Sequence, residues 1–307
     1  MRYFKKKIKK IKRWAKQKIK NTFIELETER SNDYNNSMES FPYLIYFPHE
    51  NRSDSYIINK PSVFKDVCEQ GLPVPPSKLW LGYGSHINEY LKPGKDQVAK
   101  MLNIVKDSGF DFSGNKKILD FGCGAGRMIR WLKPLSGNCE IWGTDISAEL
   151  IHWANNHLKP PFNFATTTTI PHLPFEDKYF DFIYAGSVFT HSEDLSDAWF
   201  LELKRILSDE GRIYVTIHDK HCIELLKTVP VFKDSFLYNI IFENELYKES
   251  KGEFGMFVAK RGPASQVFYD IDFFCNSVKS YFDVLSITEE AYGYQTAVLL
   301  KKKSKQI

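Results

Sequence analysis

The sequence predicts an α/β fold with a doubly wound, mostly parallel seven-stranded sheet closed by a C-terminal antiparallel hairpin. Three observations predict it. From Lys116 onward, short apolar runs alternate with helical patterns, the signature of βα units packed on both faces of a parallel sheet. A glycine cluster, Gly122-Cys123-Gly124-Ala125-Gly126, follows the first of these runs, where a strand must turn sharply back into the chain. Near the C-terminus, Phe282–Thr288 and Gln295–Lys301 are two apolar runs split by a short turn, which reads as a hairpin on the sheet edge.

At 307 residues the chain is long enough to bury a full core, and 43% hydrophobic with 26% charged residues is ordinary for a globular protein. The net charge of +4 is unevenly placed. Residues 1–20 hold eleven of the 42 basic residues and none of the 38 acidic ones, which leaves 31 basic against 38 acidic residues, a net of −7. A mildly acidic body argues against a polyanion grip, so no nucleic-acid partner is expected. Five widely spaced cysteines without a C-x-x-C pair argue against a disulfide framework or a zinc site and fit a reducing, cytoplasmic setting. No metal site is expected. No run approaches the roughly 18 apolar residues of a membrane span, and no secretory signal is read.

Residues 1–30 read as a basic amphipathic arm. Over 1–24, Phe4, Ile8, Ile11 and Ala15 recur at helical spacing, flanked by Trp14 and Ile19, with lysines filling the rest. Such a segment can lie on an anionic membrane surface, meet an acidic partner or nucleic acid, or stay a solvated terminus. Residues 31–94 read as a linker and a lid-like segment, the latter spanning 72–94 and anchored by Trp80, Tyr83 and Tyr90. The main domain is placed at 95–307. A helix at 95–108 leads into strands at 116–121, 140–145, 162–167, 180–186 and 211–218, with helices at 125–133, 147–157 and 194–207 between them. A helix at 220–228, an aromatic irregular insertion at 229–265 and a helix at 271–281 precede the hairpin.

Two motifs carry chemistry. Ile118-Leu119-Asp120-Phe121-Gly122-Cys123-Gly124-Ala125-Gly126-Arg127 is a buried strand entering a bare-backbone turn against which a ligand can lie. Asp145, 19 residues after Gly126, closes the second strand, where a carboxylate can accept both hydroxyls of a ribose. The bland alternative makes Asp145 or Ser147 a helix cap.

With G-x-G-x-G in place of the usual nicotinamide G-x-G-x-x-G, the chain resembles class I S-adenosylmethionine-dependent methyltransferases. The resemblance continues through Leu173-Pro174-Phe175-Glu176-Asp177, Phe180-Asp181-Phe182-Ile183-Tyr184 and Glu202-Leu203-Lys204-Arg205-Ile206-Leu207, and ends at Ala291-Tyr292-Gly293-Tyr294-Gln295. It implies a Rossmann-like methyltransferase fold, S-adenosyl-L-methionine as cofactor, and a small-molecule or glycan acceptor. By position it implies that Asp120, Gly122, Cys123, Gly124 and Gly126 frame the methionine moiety. Asp145 then takes the ribose, Ile146 lies against adenine, Thr167 stands at the adenine amine, and Ala185, Gly186 and Ser187 line the sulfonium side. Relatives often place Asp or Asn where this chain has the Thr166–Thr169 run.

Methyl transfer requires alignment and management of one proton. His191 and His218 fall at the sheet edge where open α/β folds place their sites, and either is a candidate base. Each also has a plain structural reading. His152, His157, His172 and His221 read as surface or loop residues. Two other functions stay open at this point: a scaffold that binds the cofactor without turnover, and a nicotinamide-dependent oxidoreductase.

Overall fold

The structure is a computed structural model that describes Lys18 and residues 68–233, 235–262 and 265–303. The chain divides into two compact units, residues 1–44 and 45–307. Of the first, only Lys18 is described, exposed and in helical backbone. The stripe read over residues 1–24, and the linker as far as residue 67, lie outside the described residues.

The second unit begins with a two-residue antiparallel ladder, β1 (Cys68–Glu69) and β2 (Leu72–Pro73), and a 3-10 turn at Ser77–Leu79. Helix α1 (Ile87–Asp107) starts eight residues earlier than the sequence suggests and runs through Pro93. Its face of Tyr90, Leu91, Gly94, Val98, Met101 and Val105 is buried, and that burial outweighs the poor helix propensity of Pro93 and Gly94.

The alternation then follows: β3 (Lys116–Phe121), β4 (Cys139–Asp145), α2 (Ala148–His157), β5 (Asn163–Thr166), β6 (Phe180–Ala185), α3 (Ser196–Ile206) and β7 (Leu207–Asp219). Helix α4 (Lys220–Thr228) is capped by Asp219, whose side chain accepts from Cys222 N at 3.0 Å. The helix expected at 125–133 is instead a 3-10 segment, Ile129–Leu135. Positive φ at Gly122, Gly124 and Gly126 holds the preceding residues in turns, and Pro134 lacks the N–H an α-helix would need.

The insertion read as irregular is largely ordered. It holds a 3-10 turn (Pro230–Phe232), α5 (Phe236–Phe242), α6 (Glu245–Ser250) and β8 (Met256–Val258), and β9 (Val267–Tyr269) follows it. Short aromatic elements that pack only as a group leave no clear periodicity, which is why the sequence hides them. Helix α7 (Ile271–Val278) and the hairpin β10 (Phe282–Tyr292) and β11 (Gln295–Lys302) complete the fold.

Among the described residues the main path of a nine-stranded sheet runs β10-β11-β7-β6-β3-β4-β5, the seven strands the sequence predicts. Strands β3 to β7 pair in parallel, and β11 is antiparallel to both β7 and β10. Two strands escape sequence reading. β9 extends in parallel beside the end of β7, with His218 opposite Phe268, and β8 pairs antiparallel with β9. Neighbouring residues along each strand enter different cores: Ile118, Phe182 and Tyr214 join one cluster, while Leu119, Ile183 and Val215 join another. A sheet covered on both faces requires this alternation. Strand order reverses between β3 and β6, so a crevice is set at the carboxyl ends of those two strands.

Candidate functional site

The turn after β3 is built to leave backbone bare. Gly122, Gly124 and Gly126 have φ of 82°, 54° and 81°, which side-chain-bearing residues rarely adopt. A Cβ on Gly122 would stand 2.4 Å from Val188 Cγ2, and one on Gly126 2.4 Å from Leu158 Cδ1. Gly122 N and Cys123 N both donate to Thr144 O, at 2.8 and 3.0 Å, tying the turn to β4.

Asp145, at the end of β4, faces this turn. Its Oδ2 accepts from Gly124 N and its Oδ1 from Ser147 N, each at 2.8 Å. Loss of solvation raises its pKa, and the backbone donors of Ser147, Gly124 and Ile146 oppose that rise. The two roles open in the sequence belong to separate residues: Ser147 caps α2, accepting from Leu150 N at 3.4 Å, and Asp145 braces the turn. Beside it, Ile146 is 45% exposed, an apolar side chain left uncovered. Thr167 N donates to Asp145 O at 2.9 Å, and the Thr167 hydroxyl is buried without a hydrogen-bond partner.

Asp120 lies beneath the turn at 2% exposure, and its Oδ2 has no partner. Desolvation, with the Asp145 charge adding to it, pushes its pKa up to about 7. The Tyr184 hydroxyl nearby favours the carboxylate, but it too is without a partner in hydrogen-bond geometry. Two expected residues contribute no side chain to the crevice. Cys123 is buried, with Sγ directed at Gly124 O at 3.4 Å, and Ala185 packs in the core with Leu119 and Ile183. The alternation that places Asp120 beneath the turn sends Ala185 to the opposite face, so only backbone is available at these two positions.

On the β6 side, Gly186 has no room for a Cβ, which would meet Tyr292 Cε2 at 2.8 Å. Ser187 has φ 61°, a strained value for serine, and is held there by a polar network. Its N–H donates to Thr216 Oγ1 at 2.7 Å, its hydroxyl lies 3.1 Å from Thr190 Oγ1, and Gln295 Nε2 donates to that hydroxyl at 2.9 Å. Thr216 Oγ1 donates to Gln295 Oε1 at 2.6 Å.

The two candidate bases differ. His218 is 2% exposed and stacked on Phe268, with ring centroids 4.9 Å apart. Burial lowers its pKa to about 3, so it is neutral, and its Nε2 sits 3.4 Å from the Gln295 amide nitrogen. The Gln295 amide therefore donates to His218 Nε2, which spends that nitrogen's lone pair on a structural bond. His191, an exposed residue, has Nδ1 2.7 Å from Ser265 O, which fixes the proton on Nδ1 and leaves Nε2 as the unprotonated nitrogen of the neutral ring. Desolvation by the surrounding protein lowers its pKa, and the Ser265 carbonyl opposes the shift.

The lid-like segment read at 72–94 reaches the turn through partners that the sequence did not specify. Leu79 packs with Ala125 and Leu150, Trp80 stacks on Tyr90 at 5.0 Å, and Arg130 donates to Leu72 O and Pro73 O at 2.8 and 2.9 Å. Tyr83 lies 4.1 Å from the Arg127 guanidinium, and its hydroxyl accepts from Tyr292 at 3.0 Å. The Tyr292 and Gln295 contacts join hairpin to turn across more than a hundred residues, which no local pattern reveals. The other histidines are peripheral: His157 bonds Trp153 O, and His221 faces Glu289 and Glu290.

No metal-binding group of three or more His, Cys, Asp or Glu occurs among the described residues. The unpartnered Asp120 carboxyl oxygen and Thr167 hydroxyl, the bare Gly122–Gly126 backbone and the uncovered Ile146 fit a ligand carrying an amino-acid tail, a ribose and an adenine.

Comparison with known proteins agrees with this geometry. Residues 119–215 match the family described as Methyltransferase domain. Methyltransferase GfsG of Streptomyces halstedii is 30% identical over 112 residues, covering 34% of this chain and 38% of that protein. Glycine/sarcosine/dimethylglycine N-methyltransferase of Actinopolyspora halophila is 27% identical over 145 residues, 45% of this chain and 25% of that protein. The chain thus spans well under half the length of these curated relatives. Among solved structures, the PH0226 protein from Pyrococcus horikoshii OT3 aligns with a TM-score of 0.51 at 18% identity, covering 71% of this chain and 96% of that one. That likeness is one of fold, and the fold is Rossmann-like.

Proposed function

We propose that this protein is an S-adenosylmethionine-dependent methyltransferase that methylates an oxygen of a saccharide or other small-molecule acceptor. The observation that carries the reading is Asp145, whose carboxylate meets the bare backbone of the glycine turn at Gly124 while an apolar Ile146 stands uncovered beside it. The methyltransferase-domain match over 119–215 and relatives named as methyltransferases support it. One of those names specifies small amine acceptors, which supports a small molecule over a macromolecule.

Bound in this crevice, S-adenosylmethionine supplies a methyl carbon already activated by a sulfonium. The chain's own residues do the remaining work. Asp145 holds the ribose, Ile146 and Thr167 position the adenine, and the backbone at Gly186 and Ser187 flanks the reacting end. Gln295 and Thr216 keep Ser187 in its strained shape. His191, with its proton fixed on Nδ1 by Ser265 O, accepts the acceptor's hydroxyl proton on Nε2. His218 serves structure, filling the space under β9. Alignment, more than chemistry on the protein, supplies the rate enhancement.

The protein acts in the cytoplasm, with residues 1–24 resting on the inner face of a membrane. The basic residues of this segment and the helical spacing of Phe4, Ile8, Ile11 and Ala15 support this. Liposome flotation of the full chain and of a chain lacking residues 1–24 tests it, and equal behaviour would refute it. The activity itself is tested by incubating the full chain with methyl-labelled donor and a panel of saccharides, hydroxylated small molecules and amines. Label in a hydroxylated acceptor is expected. Transfer to none of them would favour a non-catalytic cofactor-binding protein.

A further inference from the structure

We infer that Tyr83 of the lid-like segment and Tyr294 of the hairpin turn, backed by Phe232 of the insertion, form the acceptor site, and that it takes the uncharged, hydroxyl-bearing ring of a saccharide. The inference rests on the methyltransferase reading above and deepens it, by assigning the acceptor residues and by choosing a saccharide over an amine.

The hairpin turn is pinned to the reacting end of the crevice from both sides. Tyr292 packs where Gly186 lacks a side chain, its Cε2 2.8 Å from the place a Cβ would take, and Gln295 Nε2 donates to the Ser187 hydroxyl at 2.9 Å. Tyr294 lies between these two anchors in the chain. Its ring centroid stands 5.7 Å from that of His218 and 5.6 Å from that of Phe232, so protein beds it there. It is still half-buried, and its hydroxyl has no hydrogen-bond partner among the described residues. His191, the base in the reading above, is near enough to His218 to disfavour protonation of that ring. Tyr294 thus borders the place where the acceptor's proton must leave.

Tyr83 approaches from the lid, and a hydrogen-bond chain ends on it. Arg127 Nη2 donates to the Tyr292 hydroxyl, and that hydroxyl donates to Tyr83 at 3.0 Å. The O–H of Tyr83 itself has no acceptor among the described residues, and a donor at the end of such a chain is strengthened by polarisation. The lid is held at this point. A Cβ on Gly84 would stand 2.5 Å from Glu89 Cβ, and Ser85 N donates to Glu89 Oε2 at 2.8 Å. The Tyr294 phenol is pushed up to about 12, by lost solvation first and then by the neighbouring Cys222 and Tyr83 groups, which sets the two phenols in one neighbourhood.

Two phenols that each donate and accept, set among ring faces, match a pyranose. Its C–H face is apolar and fits an aromatic plane, and its rim of hydroxyls needs donors and acceptors together. The charge behind the rings disfavours a cationic amine. The Arg127 guanidinium lies 4.1 Å from the Tyr83 ring and 5.2 Å from the Tyr292 ring, where it occupies their π faces and repels a second cation.

The test is saturation-transfer NMR on the full chain loaded with S-adenosylhomocysteine. Methyl glycosides of common hexoses and deoxyhexoses form one probe set, and sarcosine and ethanolamine the other. Saturation is expected in the ring protons of at least one glycoside and in neither amine. Tyr294→Ala is expected to weaken that glycoside about 3- to 10-fold, the range of one lost ring stack. Tyr294→Phe and Tyr83→Phe keep the rings, and each is expected to weaken it about 2- to 10-fold through one lost hydrogen bond. These two carry the test if the alanine variant does not fold. S-adenosylhomocysteine, titrated calorimetrically, should stay within about threefold of its original affinity in all three variants. Saturation in an amine or in no probe, or a glycoside affinity that all three variants leave unchanged, would overturn the inference. So would a loss of S-adenosylhomocysteine affinity equal to the loss for the glycoside. The donor reading survives each of these results. Failure of the unmutated chain to bind S-adenosylhomocysteine would remove both.

Discussion

Asp145 offers the sharpest perturbation. In Asp145→Ala, the Gly124 and Ser147 N–H groups lose their acceptor. Each orphaned donor costs about 1–3 kcal/mol when fully buried; these are partly buried, so about 2–3 kcal/mol in total is expected. For a domain of this size that lowers the melting temperature by roughly 5–10 °C, read by differential scanning fluorimetry. The ligand term is larger. Two ribose hydroxyls bonded to a charged acceptor contribute about 1.5–3 kcal/mol each, so S-adenosylhomocysteine should bind at least about 100-fold more weakly by titration calorimetry. Asp145→Asn retains the shape and one acceptor oxygen, and should be milder on both counts. A folded Asp145→Ala protein that keeps its affinity within about threefold would refute the reasoning, because the carboxylate would then be no more than a brace.

Other expectations follow from the same geometry. His191→Gln should lower kcat by roughly 10²- to 10⁴-fold with little change in donor affinity. Because desolvation lowers the His191 pKa, the acid limb of the pH–rate profile of the unmutated protein should lie below the usual imidazole value of about 6.5, and a limb above it would contradict the assignment. His218 remains neutral in the fold down to about pH 3, while the unfolded chain takes up that proton near pH 6.5. Stability is therefore lost as pH falls across that window, by up to about 1.4 kcal/mol per pH unit, and urea titrations of His218→Gln should show a slope shallower by that amount. Gly126→Ala combines a φ of 81° with a Cβ 2.4 Å from Leu158 Cδ1. It should cost about 1–2 kcal/mol from the backbone alone and reduce donor affinity as well, and an unchanged melting temperature would contradict the turn geometry.

Much of the sheet was legible because its strands are buried on both faces and punctuated by glycine and acidic residues, as at Lys116–Phe121 and Cys139–Asp145. The glycine turn and Asp145 were legible for the same reason: both are local in sequence and demand particular residue types. What local pattern could not give was set by distant packing. α1 crosses Pro93 because its far face is buried, and the 3-10 segment at Ile129–Leu135 replaces a helix around Pro134. β8 and β9 exist only because β7 overruns the sheet and offers its edge at His218 and Asp219. The two histidines looked alike in sequence and were separated by Gln295 and Ser265, residues 77 and 74 positions away from the rings they touch. Arg127 appeared as an ordinary basic residue after a glycine, and its burial between Tyr83 and Tyr292 is a tertiary fact.

The central claim is that the crook between β3 and β4 seats the nucleoside end of a sulfonium donor. Titration of the unmutated full chain with S-adenosylhomocysteine, set beside NAD and NADP under the same conditions, tests it most directly. Saturable one-to-one binding of S-adenosylhomocysteine, with the dinucleotides bound far more weakly, is the predicted result. Saturable binding of a dinucleotide with none of S-adenosylhomocysteine would contradict it.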